Sequence, residues 1–300
     1  MSRCYAAVEL GGTRASVVAG TAPGQCSPII RLPTREPGET LEAIVAALRR
    51  LRDDGWRFDA LGLACFGPLE LDPSSGSFGS VLQTPKPGWT GIDVVGALAR
   101  ALQASVVLET DVNAAAIGEG RWGACQGLSD FAYITAGTGV GAGICVAGAP
   151  LHGLLHSEAG HLRPVRNGAD RFSGICRWHR DCVEGLASGP AIGERRGLDP
   201  SQIADDDPVW SFAGDYLGQL AAALALIVSP RRIVLGGGVG RRPAVLQAAR
   251  RSLDASLSGY LVRPTSGELH RYLVRPALGP DSGLFGALGL AAEQRTSRKP

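Results

Sequence analysis

The sequence predicts an α/β protein built from two similar halves. Strand-like apolar runs alternate with segments of helical spacing, two glycine-turn hairpins stand roughly 125 residues apart, and 300 residues is about twice a usual domain length.

Residues 4–10 and 14–20 read as short apolar strands joined by Gly11-Gly12-Thr13, a hairpin whose glycines take positive φ without steric cost. A third strand covers 28–32. Leu41, Ile44, Val45, Leu48 and Leu51 recur at helical spacing and predict a helix over 40–52. A strand at 60–66, a helix at 92–102, a strand at 105–109 and a helix at 112–120 follow. That alternation predicts a mostly parallel sheet. A second hairpin over 131–146 turns at Gly137-Thr138-Gly139-Val140-Gly141 and restarts the plan. After an irregular, polar stretch over 151–207 come a strongly apolar helix at 210–228, a strand at 232–235 and Gly236-Gly237-Gly238. A helix at 243–257, a strand at 272–274 and a last helix at 283–293 complete the pattern.

Thirty Lys and Arg against 28 Asp and Glu leave a formal charge of +2, with the basic residues scattered singly or in pairs. Such a surface argues against nucleic acid as a partner. No window of 18 uninterrupted apolar residues and no signal-peptide core is present, so neither a membrane span nor export is expected, and the chain reads as cytoplasmic. Seven cysteines, an odd number, fit reduced thiols better than a disulfide framework. Glycine is overrepresented, 42 of 300 residues, without a collagen-like or low-complexity period. The two lysines, Lys86 and Lys299, belong to no G-x-x-x-x-G-K-[ST] loop, which excludes a Walker-type site. A Rossmann site is excluded too, because no G-x-G-x-x-G stands between a strand and a helix with an acid about 20 residues on.

The turns Gly11-Gly12-Thr13-Arg14 and Gly137-Thr138-Gly139 expose successive backbone N–H groups of the kind that bind phosphate, although glycine at a hairpin turn often serves geometry alone. Gly236, Gly237 and Gly238 follow a buried strand and would let backbone approach a flat adenosine. Asp111, in Glu109-Thr110-Asp111-Val112-Asn113-Ala114-Ala115-Ala116, stands where a strand meets a small-residue helix. It is either that helix's N-cap or a general base facing the ligand crevice at the strand's C-terminal end. Cys176, His179 and Cys182 are spaced by two residues each, and fourteen residues separate His161 from Cys176. Two thiolates and two imidazoles suit tetrahedral zinc, against the alternative of a plain surface loop; His152 and His156 are rival ligands. Trp89 is either a wall of a ligand pocket or a loop anchor.

Taken together, Glu9-Leu10-Gly11-Gly12-Thr13-Arg14, Glu109-Thr110-Asp111-Val112-Asn113-Ala114-Ala115, Gly137-Thr138-Gly139-Val140-Gly141, Glu158-Ala159-Gly160-His161 and Leu235-Gly236-Gly237-Gly238-Val239 resemble the ROK family of sugar kinases, in order and across nearly the whole chain. Phe66-Gly67-Pro68, Thr84-Pro85-Lys86-Pro87-Gly88-Trp89 and Glu184-Gly185-Leu186-Ala187-Ser188-Gly189-Pro190 resemble its bacterial fructokinase branch. The resemblance implies two actin-like (ribonuclease H-like) α/β domains closing on ATP, Mg2+ and a hexose in the cleft between them. The expected boundaries are 1–111, completed by a C-terminal helix at about 284–300, and 112–283, with a zinc loop at about 156–190.

The same resemblance implies ATP-dependent phosphorylation of a hexose, D-fructose first, with Asp111 as general base and a homodimer as the assembly. Glucose, mannose or an N-acyl hexosamine are the alternative substrates, and a non-catalytic sugar sensor is the alternative class. Thr110, Glu158, His161 and Glu184 match sugar-contacting positions. Gly11, Gly12, Thr13, Arg14, Gly137, Thr138, Gly139, Gly236, Gly237 and Gly238 match the nucleotide site. Zn2+ would take His161, Cys176, His179 and Cys182, with the second nitrogen of His161 left for a sugar hydroxyl. Mg2+ would bind through the nucleotide phosphates and waters, beside Asp111 or Glu9. Three positions depart from the wider family: Glu9 and Arg14 replace its usual Asp and Lys, and Thr110 replaces a sugar-binding Asn.

Overall fold

A computed structural model of the chain describes residues 4–296. They form two compact units, one comprising residues up to Gln126, His152–His156 and the residues from Asp281 on, the other Gly127–Leu151 and Ser157–Pro280. The boundary lies past 111/112 because the helix beginning at Asp111 packs within the first unit.

In the first unit β1 (Tyr5–Leu10) and β2 (Arg14–Ala22) form the expected antiparallel hairpin, with Leu10 opposite Ala15. Two short strands, β3 (Gln25–Cys26) and β4 (Ile30–Pro33), pair with β2. Helix α1 (Pro37–Asp53) leads to β5 (Ala60–Cys65), parallel to β1, and α2 (Val94–Leu102) leads to β6 (Ser105–Thr110), parallel to β5. The period-2 pleat sends Ala6, Val8, Leu10, Leu61 and Leu63 into one core with Ile44, Leu48 and Leu51 of α1 and Val94 and Leu98 of α2.

The opposite sheet face is lined by small residues. A Cβ on Gly62 would overlap the carbonyl of Ala287 in the C-terminal helix, Ser282–Thr296. Between that helix and α3 (Asp111–Trp122), Gly118 and Gly286 abut the partner backbone directly. The C-terminal helix therefore meets the middle of β5 and α3 backbone to backbone, and its Gly283 lies against Glu9 Oε1 and the Asp111 carbonyl.

The second unit repeats the plan. The hairpin of β7 (Phe131–Ala136) and β8 (Val140–Val146) is extended by β9 (Ala149–Pro150) on one side, and β10 (Ile233–Gly236) and β11 (Leu273–Val274) run parallel on the other. The expected irregular stretch contains two helices, α4 (Val183–Ala187) and α5 (Gly189–Arg196), which meet at Ser188. Their glycines and Pro190 erase any apolar period, and Ser188 supplies a cap instead, its hydroxyl accepting from Ala191 N–H. Helix α6 (Val209–Val228) is long and apolar enough by composition to cross a membrane. Most of it lies in the core of this unit, where Gly214 and Gly218 seat it against α8 (Pro243–Leu257). Helices α7 (Gly237–Gly240) and α9 (Leu269–Tyr272) are single turns.

Gly62→Ala forces apart a helix and a sheet that touch through backbone, so it should cost about 1–3 kcal/mol, the usual range for overpacking. Urea unfolding checks this, with Gly76→Ala, which faces open space, expected to leave the midpoint unchanged.

Candidate active site and metal cluster

Helix α3 begins where β6 ends, and its cap is Thr110. The Thr110 hydroxyl accepts from Asn113 N–H at 3.1 Å, and the side chain is buried. Asp111 is thus the first helical residue and not the cap. Its carboxylate accepts from its own N–H and, at 2.8 Å, from that of Val112. Burial pushes the Asp111 carboxyl up to about 6, against the downward pull of those two amides. Glu9, near the end of β1, is pushed up to about 8, first by burial and then by the charges of Asp111 and Asp281; Arg14 and Arg31 pull the other way. Asp281 is held by Arg31 at 2.9 Å. Three acids therefore share one field at the C-terminal ends of parallel strands, where α/β folds bind ligands.

A pair absent from the sequence expectations supports this edge. Glu109 is 3% exposed; Oε1 accepts from Thr110 N–H at 2.8 Å and from Asn113 Nδ2 at 2.9 Å, while Oε2 lies 2.9 Å from His152 Nε2. The hydrogen bond to Glu109 raises the pKa of His152, against its partial burial. His156 Nε2 accepts from Leu69 N–H at 3.1 Å. Both rival zinc ligands are thereby accounted for within the first unit. No local pattern signals the Glu109–His152 pair; only a search for partners of a buried acid would have raised it.

The first glycine turn has its carbonyls engaged by neighbouring donors. Thr34 Oγ1 donates to Gly11 O at 2.8 Å, Thr34 N–H to Thr13 O at 3.0 Å, and Lys86 Nζ to Gly12 O at 2.6 Å. Among the described residues no backbone acceptor takes the N–H of Gly12 or Thr13. Thr13 and Arg14 are exposed. Trp89 is fully buried, donates to Arg35 O at 3.0 Å and meets Phe66 edge-on, so it is a loop anchor and no wall of an open pocket.

In the second unit, Gly137 and Gly139 close a tight turn by a 2.8 Å backbone bond, and Gly189 N–H at the start of α5 donates to Gly137 O at 2.7 Å. Glu184, expected at a sugar, accepts from Val140 N–H at 3.0 Å and lies against Gly139. Gly236 and Gly237 are required by packing, because side chains there would strike Tyr133 and the Ala136 carbonyl. Gly238 faces open space.

His161, Cys176, His179 and Cys182 converge, with their ligand atoms all within 4.8 Å of one another. His161 Nδ1 lies 3.7 Å from Cys176 Sγ and 3.5 Å from Cys182 Sγ, and His179 Nδ1 lies 3.8 Å from Cys176 Sγ. A tetrahedral zinc with ordinary bond lengths sets its nitrogen and sulfur ligands about 3.6 Å apart. The loop is built for closeness: Cys176 and Arg180 bond each other's backbone in both directions, and Gly185 N–H donates to Cys182 Sγ at 3.4 Å. His161 Nε2 points elsewhere, 3.9 Å from Glu158 Oε2.

The ROK family profile matches residues 5–294. This chain belongs to the ROK family. Its relatives include a fructokinase of Pediococcus pentosaceus, 38% identical over 95% of this chain and 96% of that one. Another is a fructokinase of Zymomonas mobilis, 37% identical over 98% of each chain. The fold is the actin-like fold of ROK sugar kinases. A ROK family glucokinase from Streptomyces griseus, solved in complex with glucose and AMPPNP, superposes with TM-score 0.80 at 27% identity, covering 97% of this chain and 99% of that one. Kinases of this kind imply ATP and Mg2+.

His152 gains affinity for protons on folding, so the stability this pair supplies is complete below the ordinary histidine value of 6.5 and fades as pH rises through the raised one. Thermal unfolding of His152→Gln should show a larger loss at pH 6 than at pH 9. Equal losses at both would show that the charge of His152 contributes nothing.

Proposed function

We propose that this ROK protein is a fructokinase, transferring the γ-phosphoryl group of ATP to D-fructose and releasing fructose 6-phosphate and ADP. The observation that carries it is Thr110 in the cap of α3, which leaves Asp111 at the strand ends beside Glu9 with a carboxyl pushed up to about 6. A base of that strength is ionised at neutral pH yet binds a proton readily. Asp111 takes the proton of the sugar's 6-hydroxyl as that oxygen bonds to the γ-phosphorus and the bond to the β-phosphate oxygen breaks. The two fructokinase relatives at 37–38% identity favour fructose. Glucose is the second reading, supported by the likeness to the Streptomyces glucokinase.

Positioning and electrostatics carry most of phosphoryl transfer. In this reading Gly11, Gly12, Thr13 and Arg14 present N–H groups and one cation to the phosphates. In the second unit Gly137, Thr138 and Gly139 form a turn of the same kind, and Gly238, with Gly236 and Gly237 beneath it, offers bare backbone to a nucleotide. Mg2+ bound with the nucleotide offsets phosphate charge. Glu9 and Asp111 would be the carboxylates available to it, and a divalent cation would relieve their mutual repulsion. His161, through Nε2, and Glu158 supply a donor and an acceptor for sugar hydroxyls. Glu184 holds the second glycine turn, and Thr110 serves the sugar through its placement of Asp111. Zn2+ fits His161 Nδ1, Cys176, His179 and Cys182 by donor set and spacing, and would fix the orientation of His161. A homodimer in the cytoplasm belongs to the same reading and rests on family likeness alone.

ADP release with a panel of hexoses tests the assignment: kcat/KM should be highest for fructose, and a higher value for glucose would replace it. Asp111→Asn should lower kcat about 100-fold or more with sugar binding largely kept. Because Asp111 must be ionised to act, kcat/KM should fall about tenfold per pH unit below pH 6. Purified protein should hold zinc, and Cys176→Ser with Cys182→Ser should lose both metal and sugar affinity; unchanged zinc in that variant would remove the site.

A further inference from the structure

Lys86 is the lone lysine among the described residues of a chain that otherwise uses arginine for its long cationic side chains. It is half-buried, and its ammonium donates at 2.6 Å to Gly12 O, the carbonyl at the centre of the first glycine turn. Among the described residues no carboxylate pairs with it. An ammonium held only by a neutral carbonyl has no counter-charge beside it and keeps two further donors. Its segment is rigid: Pro85 and Pro87 fix φ on either side, Gly88 turns the chain at φ +76°, and Trp89 is locked into the core. The turn's own cation, Arg14, is exposed by contrast. A compact ammonium fits between a carbonyl and a phosphate oxygen, where a planar guanidinium fork does not.

We propose that Lys86 is a phosphate-binding residue of this site. Its ammonium keeps Gly12 O turned inward, so that the turn offers N–H groups, and presents a fixed positive charge to the nucleotide's terminal phosphate oxygens. The inference rests on the kinase reading above, and it assigns to the Pro-Lys-Pro-Gly-Trp segment a role at the nucleotide, where the sequence suggested the sugar.

The test compares Lys86→Gln, Lys86→Met and Lys86→Arg with wild type in steady-state kinetics and in ATP-Mg binding by calorimetry. Gln keeps a donor for Gly12 O and removes the charge. If the charge matters, Gln and Met both lose on the order of 100-fold in kcat. Both should raise KM for ATP and weaken ATP-Mg binding at least tenfold, while KM for fructose stays within about twofold and Arg recovers only part. Unfolding temperatures of Gln and wild type should agree. Gln behaving like wild type in ATP-Mg binding and kinetics would overturn the proposal and leave Lys86 a brace for the turn. Should wild type release no ADP with any hexose, the kinase reading fails by itself, and the calorimetric comparison still decides whether Lys86 binds phosphate.

Discussion

The contact on which the first unit depends is the one made without side chains. Gly62 lies against the Ala287 carbonyl, Gly118 against Ser282, and Gly286 against the carbonyl of Ala114. Packing at backbone distance draws the C-terminal helix and α3 onto the sheet and shuts water away from the ends of β1 and β6. Glu9 and Asp111 both sit at that edge, and burial is the largest influence on each carboxyl. A larger residue at any of these glycines would widen the gap and let solvent restore ordinary acidity.

Holding acids in such a place costs stability. Glu9, with an ordinary value of 4.5, is pushed to about 8, so folding opposes its ionisation and the penalty accumulates as pH rises between those two values. A protein gains nothing structurally from this arrangement. A cation bound beside these carboxyls would reward the charges that burial resists. The Glu109–His152 pair works in the opposite sense. It satisfies a buried carboxylate fully, fixes Asn113 and the Thr110 amide, and so holds the start of α3 still.

Two residues carry structural duties that their motifs do not announce. Glu184 holds the turn of the second hairpin, and Trp89 anchors a loop from which Lys86, outside any Walker motif, reaches the first hairpin. The cysteine and histidine loop is different. Its four donors fall within 22 consecutive residues, and a two-way backbone pairing between Cys176 and Arg180 is enough to gather most of them. Asp170, bonded to Tyr216 and to Arg195, ties the neighbouring chain to α5 and α6 and keeps that loop on its scaffold.

By itself the sequence determined the hairpins, most helices and strands, their repetition, and the grouping of Cys176, His179 and Cys182 in one short loop. Each of these is a local property: apolar period, turn chemistry, or donors three residues apart. Helices α4 and α5 have no apolar period in the sequence, because caps and packing make them. Only the tertiary structure decided that Thr110 caps α3 and Asp111 does not, because the choice depends on where β6 ends. It alone brought Lys86 to Gly12 across 74 residues and His152 to Glu109, and it alone set the acidity of Glu9 and Asp111. Proton affinity is a property of surroundings, and those are assembled from distant parts of the chain.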